Sequence, residues 1–130
     1  MVLFLLGLAG LGCAAGDGET ALPPPGLAAD IQPLLDRNCV DACHGGAAPS
    51  GELDLSPGRA YDALVGMASV QAPDLLRVAS GDPDGSYLVA KLEGRQAAAG
   101  GSGTGMPPAF VLSSGEIAAV RAWIAAGAAE

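Results

Sequence analysis

Apolar residues recur at helical spacing in four short stretches of the chain. Each stretch follows residues that favour a helix start, namely Asp30, Ser56-Pro57, Asp82-Pro83 and Ser113. The apolar stripes are Ile31, Leu34 and Leu35; Ala60, Tyr61, Leu64 and Val65; Tyr87, Leu88 and Leu92; and Ile117, Val120 and Ile124. Gly66, Gly94 and Gly127 predict the ends of the last three helices. The pattern predicts an all-α fold of three to four short helices.

The last helix has the most complete start signal. Ser113 and Glu116 are spaced as a capping box, and Leu112 and Ile117 as a hydrophobic staple. The loops between the helices are long and rich in Gly, Ala and Pro, notably 45–55 and 95–111. Helices this short, joined by such loops, would be under-packed unless something other than side chains fills the centre.

The composition shows the same shortage of bulky core side chains and excludes several classes of protein. The chain has 130 residues, enough for one domain, and only 4% of them are aromatic. Its net charge of −8 excludes non-specific binding to nucleic acid, which needs a basic face. Its 3 cysteines cannot form a complete disulfide framework, since one would remain unpaired.

The N-terminus predicts export from the cytoplasm. Residues 1–12 are uncharged and apolar, but the run is shorter than the roughly 20 residues of a membrane-spanning helix, so we interpret it as a signal peptide. The stretch Gly10-Leu11-Gly12-Cys13 resembles the lipobox of bacterial lipoproteins, which implies cleavage before Cys13 and lipidation of its thiol. The alternative is an ordinary cleaved signal, with Cys13 removed or idle. Both place the mature protein outside the cytoplasm.

Residues 13–29 are predicted to be a tether. Gly and acidic residues keep the segment solvated, and Pro23-Pro24-Pro25 stiffens it as polyproline II. The domain organisation is therefore a signal peptide at 1–12, a lipidated Cys13 with its linker at 13–29, and a folded domain at 30–130.

One motif carries specific chemistry. Cys39-Val40-Asp41-Ala42-Cys43-His44 resembles the haem attachment sequence C-x-x-C-H, with one more residue between the cysteines. In that chemistry two thiols add across the haem vinyl groups, and the histidine after the second cysteine lies under the iron. His44 is the only histidine of the chain, which excludes bis-histidine ligation and leaves methionine as the second axial donor.

Two methionines follow the initial one, Met67 and Met106. Met106 lies in Gly103-Thr104-Gly105-Met106-Pro107-Pro108, a flexible approach followed by a rigid backbone, as suits a loop that must present a thioether. Met67 ends a predicted helix, and we expect it to be core, as we do Tyr61 and Tyr87. Met106 is the preferred ligand, and Met67 the alternative.

The chain resembles the small class I cytochromes c, most closely the extracytoplasmic cytochrome c domains of planctomycete and myxobacterial proteins. The resemblance runs from Asp30 to the C-terminus. Its motifs are Cys39 to Gly46, Gly51 to Ser56, Gly81-Asp82-Pro83 with Ser86-Tyr87-Leu88, Gly105-Met106-Pro107-Pro108, and Ile117 to Ala128. It implies crossing terminal helices around a covalent haem c, held by Cys39 and Cys43, with His44 and Met106 as iron ligands.

The function implied is single-electron transfer without catalysis. We expect a redox protein partner with a basic docking patch, because the chain is acidic, and a membrane contact through the lipid on Cys13. We also expect the haem-free chain to be at best molten.

Other uses of the same residues remain open. Cys39 and Cys43 could form a disulfide in a haem-free interaction module, and a labile Met106 would leave an open iron site in an enzyme or gas sensor. A zinc site or a Cys-His nucleophile is less well matched by these adjacent residues. Three cations, Arg77, Lys91 and Arg95, could reach haem propionates, but we expect them to be solvated surface charges.

Overall fold

The computed structural model describes residues 21–130, which fold into short helices joined by long loops. Helix α1 (Gln32–Leu35) is flanked without a break by π-wound turns at Leu27–Ile31 and Asp36–Val40. A 3-10 turn at Ser50–Glu52, α2 (Ala60–Leu64), α3 (Tyr87–Leu92) and α4 (Ser114–Ala125) follow. Isolated β-bridges occur, but no strand is found in the described residues. The prediction of an all-helical chain is confirmed for this part.

Helix α4 begins where its capping box predicts. The Ser113 hydroxyl accepts from the Glu116 amide at 3.2 Å, and the Glu116 carboxylate accepts from the Ser113 amide at 2.9 Å. The helix ends just before Gly127, whose φ is 112°. Val120, Trp123 and Ile124 form its buried face.

The other predicted helix starts are displaced. The first helical turn begins at Leu27, before the predicted boundary at residue 30, and Asp30 lies inside it with its carboxylate accepting from the Gly26 amide at 2.8 Å. The α2 helix begins at Ala60 rather than directly after Ser56. Asp82 accepts from the Gly85 amide at 2.9 Å, so it closes a turn before α3 instead of capping it. Asp and Ser side chains form local turns as readily as caps, which explains these shifts.

The core lies where α4 packs against the turn at Leu27–Ile31 and against α3. The Ala129 carbonyl joins the two ends of the fold, because it accepts from the Trp123 indole at 2.7 Å and from the Leu27 amide at 2.9 Å. The largest fully buried side chains are Trp123, Ile31, Leu64, Ile124, Val78, Val89 and Val120. This core is built from the terminal helical segments, with α2 and α3 beside them.

None of the helices in residues 21–130 is long and apolar enough to span a membrane. The predicted signal peptide and Cys13 lie outside the described residues.

Candidate functional site

A cavity of about 430 Å³ is lined by core residues together with residues of the two long loops. Its volume falls in the range of roughly 300–1,000 Å³ that is typical of small-molecule sites. Its apolar lining includes Leu34, Leu35, Leu53, Leu55, Leu64, Val70, Leu88, Leu92, Pro108 and Val120. Cys39, Cys43, His44 and Met106 also line it, so the structure brings all four predicted haem-binding residues to one cavity.

The first three of these residues lie on one stretch, which we call the His44 segment (residues 39–44). The His44 amide donates to the Cys39 carbonyl at 2.9 Å, five residues back in the chain. A bond of this reach is the π-helical type, one residue wider than the α-helical bond. It continues the π winding of Asp36–Val40. The additional residue between the cysteines is thus taken up by a wider turn.

The His44 ring is held by a backbone carbonyl. Its Nδ1 atom lies 3.1 Å from the Leu53 carbonyl oxygen, and the Leu55 amide donates to the His44 carbonyl at 2.8 Å. A neutral imidazole that donates from Nδ1 has the lone pair of Nε2 free to bind a metal. Metal-binding histidines in proteins are usually oriented by such a bond. His44 therefore has the arrangement of a ligand, which the sequence motif alone does not show.

The two cysteines are not joined by a disulfide in the structure; Cys39 is half-buried and Cys43 exposed. Burial, together with the neighbouring Cys43 thiol, raises the pKa of Cys39 to about 11. Cys39 therefore lacks the low pKa that is typical of a catalytic cysteine, whose thiolate is the nucleophile. Within residues 21–130, no three His, Cys, Asp or Glu side chains are grouped so that they could hold a metal ion.

Met106 lies in what we call the Met106 loop (residues 101–108). Its amide donates to the Lys91 carbonyl at 2.9 Å, and its half-buried side chain lines the cavity. Met67, the alternative ligand, is 46% exposed and is not among the cavity-lining residues. The expectation that Met67 belongs to the core is therefore wrong, because the chain leaves α2 at Gly66 and turns outward.

Three polar side chains beside the cavity correct the sequence-based expectations. Lys91 is only 8% exposed, so it is not a solvated surface charge, and burial lowers its pKa. Arg77 is half-buried, lines the cavity and donates to the Ala63 carbonyl at 2.9 Å. Tyr87 is buried as predicted but also lines the cavity, and its hydroxyl donates to the Gln71 side chain at 3.0 Å.

Of the three cations, Arg95 alone is exposed as predicted. Its guanidinium donates to the Glu93 carboxylate at 2.7 Å. The sequence contained a signal that Lys91 lies on the buried face of its helix. It follows Tyr87 by four residues and Leu88 by three, so it shares their helix face.

Comparison of the chain with protein-family models, with curated proteins and with solved structures found no match. The function must therefore be argued from the residues of the cavity.

Proposed function

We propose that the folded domain is a mono-haem c-type cytochrome that transfers single electrons in the bacterial cell envelope. The observation that carries this proposal is the convergence on one cavity of Cys39, Cys43, His44 and Met106, although Met106 is separated from the other three by more than half of the domain. Cys39 and Cys43 would attach the porphyrin covalently, and His44 and Met106 would be the axial ligands of the iron.

The residues present fit a haem. The leucine-rich lining suits a flat apolar macrocycle, and an imidazole nitrogen and a thioether sulfur are the donor pair of cytochromes c. When bound, the group supplies a one-electron couple between ferrous and ferric iron, and methionine ligation favours a higher potential than bis-histidine ligation. The bond between His44 Nδ1 and the Leu53 carbonyl supports the assignment of Nε2 as a donor.

The chain's own residues would then hold the cofactor and protect it. With His44 and Met106 both engaged, no open position is left for a substrate, which is why we assign electron transfer rather than catalysis. The leucines of the lining would shield a bound haem from water, and the lower local dielectric would tune its potential. The assignment of a cytochrome c-like fold is part of this proposal.

The decisive experiment is co-expression of the full chain with a haem-attachment system. We expect haem staining to persist on the denatured band and the intact mass to rise by one haem. The variant Cys39→Ser/Cys43→Ser should give an unstained band without the added mass. A wild-type protein that is folded, colourless and free of added mass would contradict the cytochrome, and a Cys39–Cys43 disulfide in it would favour the interaction module.

Localisation and partners follow from the same proposal. We propose that Cys13 is lipidated and anchors the domain at the membrane surface, which predicts a mass increase from acyl groups that Cys13→Ala abolishes. With 14 acidic and 6 basic residues, the chain favours redox partners with a basic patch, and their encounters should weaken as salt is added. Association rates that do not change with ionic strength would argue against such partners.

A further inference from the structure

Lys91 is a buried cation without a carboxylate partner in the part of the chain that the structure describes. Buried charges are costly unless hydrogen bonds or an opposite charge compensate them. The Lys91 ammonium group instead donates to two backbone carbonyls of the Met106 loop, those of Ser102 and Thr104, each at 2.9 Å. Its nitrogen also lies 5.7 Å from the centre of the Tyr87 ring, within reach of a cation–π contact.

Two further backbone groups of this loop are bonded to the same region. The Met106 amide donates to the carbonyl of Lys91 at 2.9 Å, and the Gln96 side chain donates to the Gly103 carbonyl at 3.1 Å. Three successive carbonyls, at 102, 103 and 104, are thus held by two buried side chains, Lys91 and Gln96.

The loop depends on these bonds because Gly101, Gly103 and Gly105 have no side chains to pack and leave the backbone conformationally free. Its backbone instead lies close to its neighbours, since a Cβ atom at Gly103 would lie 3.3 Å from the Lys91 Nζ atom. Met106 lines a second cavity of about 320 Å³ as well as the candidate site. The position of the loop is therefore set by contacts and hydrogen bonds of its backbone, including the bonds from Lys91 and Gln96.

We propose that Lys91 is a positioning residue for Met106: its ammonium group clamps the carbonyls of Ser102 and Thr104 and so keeps the thioether directed at the cavity as an iron ligand. This inference rests on the proposed cytochrome function. An apolar residue at position 91 would leave the Thr104 carbonyl without its donor and the Ser102 carbonyl with only the long bond from the Tyr87 hydroxyl, at 3.4 Å. The loop would then move to recover hydrogen bonds from water.

The test uses the pigmented holoprotein and the substitution Lys91→Met. Arg95→Met is the matched control, because it also removes one cation near α3 but breaks only the exposed pair with Glu93. We expect Lys91→Met to retain covalent haem on the denatured band, to lose the sulfur-to-iron charge-transfer band of the oxidised protein, and to exchange the Met106 amide at least about tenfold faster. Arg95→Met should resemble wild type in all three measurements.

A milder variant covers the case in which Lys91→Met does not accumulate. The amide of Lys91→Gln is neutral and its side chain is shorter, so it should hold the two carbonyls less firmly and weaken the charge-transfer band without abolishing it. An unchanged band in either variant overturns the proposal. Equal loss of amide protection in α4 overturns it too, because Lys91 would then support the whole fold. A colourless wild-type protein is a different result, since it refutes the cytochrome itself.

Discussion

The His44 segment and the Met106 loop line the same cavity but are held in different ways. The His44 segment continues directly from a helical turn, and Cys39 and Val40 pack against the main core. Its defining bond, from the His44 amide to the Cys39 carbonyl, is local. The Met106 loop has no helix of its own and is held by side chains of Lys91 and Gln96. Local winding therefore shapes one segment, whereas tertiary hydrogen bonds shape the other.

The difference has a consequence for mutations. A change in the core should disturb both segments, because several cavity-lining leucines belong to the same core cluster as Trp123. A change near the Met106 loop should alter that loop alone.

The substitution Trp123→Ala should remove the support common to both segments. Trp123 is fully buried, and truncating a buried Trp typically costs about 3–5 kcal/mol of unfolding free energy. The indole bond to the Ala129 carbonyl would be lost as well. We expect a low yield of purified protein and, by circular dichroism, a much lower melting temperature of the pigmented protein. A melting temperature within a degree or two of wild type would show that the two segments do not depend on this core.

The substitution Met106→Ala should distinguish the role of the Met106 loop from that of the His44 segment. We expect haem staining on the denatured band to persist, because Cys39 and Cys43 are untouched, while the sulfur-to-iron charge-transfer band disappears. Met67→Ala is the control, since that side chain is 46% exposed, and it should leave the band unchanged. Survival of the band in Met106→Ala, or its loss in Met67→Ala, would reverse the ligand assignment.

The substitution Gly101→Ala tests how tightly the Met106 loop approaches α3. A Cβ atom at this position would lie within 2.5 Å of the Tyr87 ring carbon Cε2, so the ring or the loop must move. Such overpacking typically costs about 1–3 kcal/mol of unfolding free energy. Gly115→Ala is the matched control in α4, where the nearest recorded atom is 3.9 Å away, and it should be neutral or stabilising. Equal melting temperatures for the two variants would contradict the close approach.

The substitution Glu116→Gln should have the smallest effect. It changes a contact directly beside the His44 segment. The Ser113 amide that donates to the Glu116 carboxylate holds the pKa of Glu116 below its ordinary value of 4.5, and Asn38, next to Cys39, donates to the same side chain at 3.3 Å. Because this pKa is lower in the folded protein, its stabilisation is present above pH 4.5 and is lost as the pH falls through the folded value.

We therefore expect Glu116→Gln to be slightly less stable than wild type at pH 7, and the difference in melting temperature to shrink as the pH falls below 4.5. Ser113→Ala breaks the same capping box, so the double variant should lose less than the sum of the single variants. An undiminished gap between wild type and Glu116→Gln at pH 3 would refute the role of the charge.

Sequence reasoning succeeded where an interaction joins near neighbours. Ser113 and Glu116 predicted the start of α4, because a capping box needs only residues three apart. It failed for Ser56 and Asp82, because the same side chains also form turns and only the surroundings select between the two. The cavity-lining positions of Cys39, Cys43 and His44 follow from their spacing. The Leu53 carbonyl that orients the His44 ring does not, since a backbone acceptor has no signature in a sequence.

The helical character of the domain, the capping of α4 and the candidate cofactor ligands can all be derived from the amino-acid sequence, because each depends on short-range periodicity or on the chemistry of a side chain. Three features required the folded structure: Met106 rather than Met67 lines the cavity, a π-type turn absorbs the additional residue before Cys43, and Lys91 is buried. These features depend on contacts between residues that are distant in the sequence, and local conformational preferences do not determine such contacts.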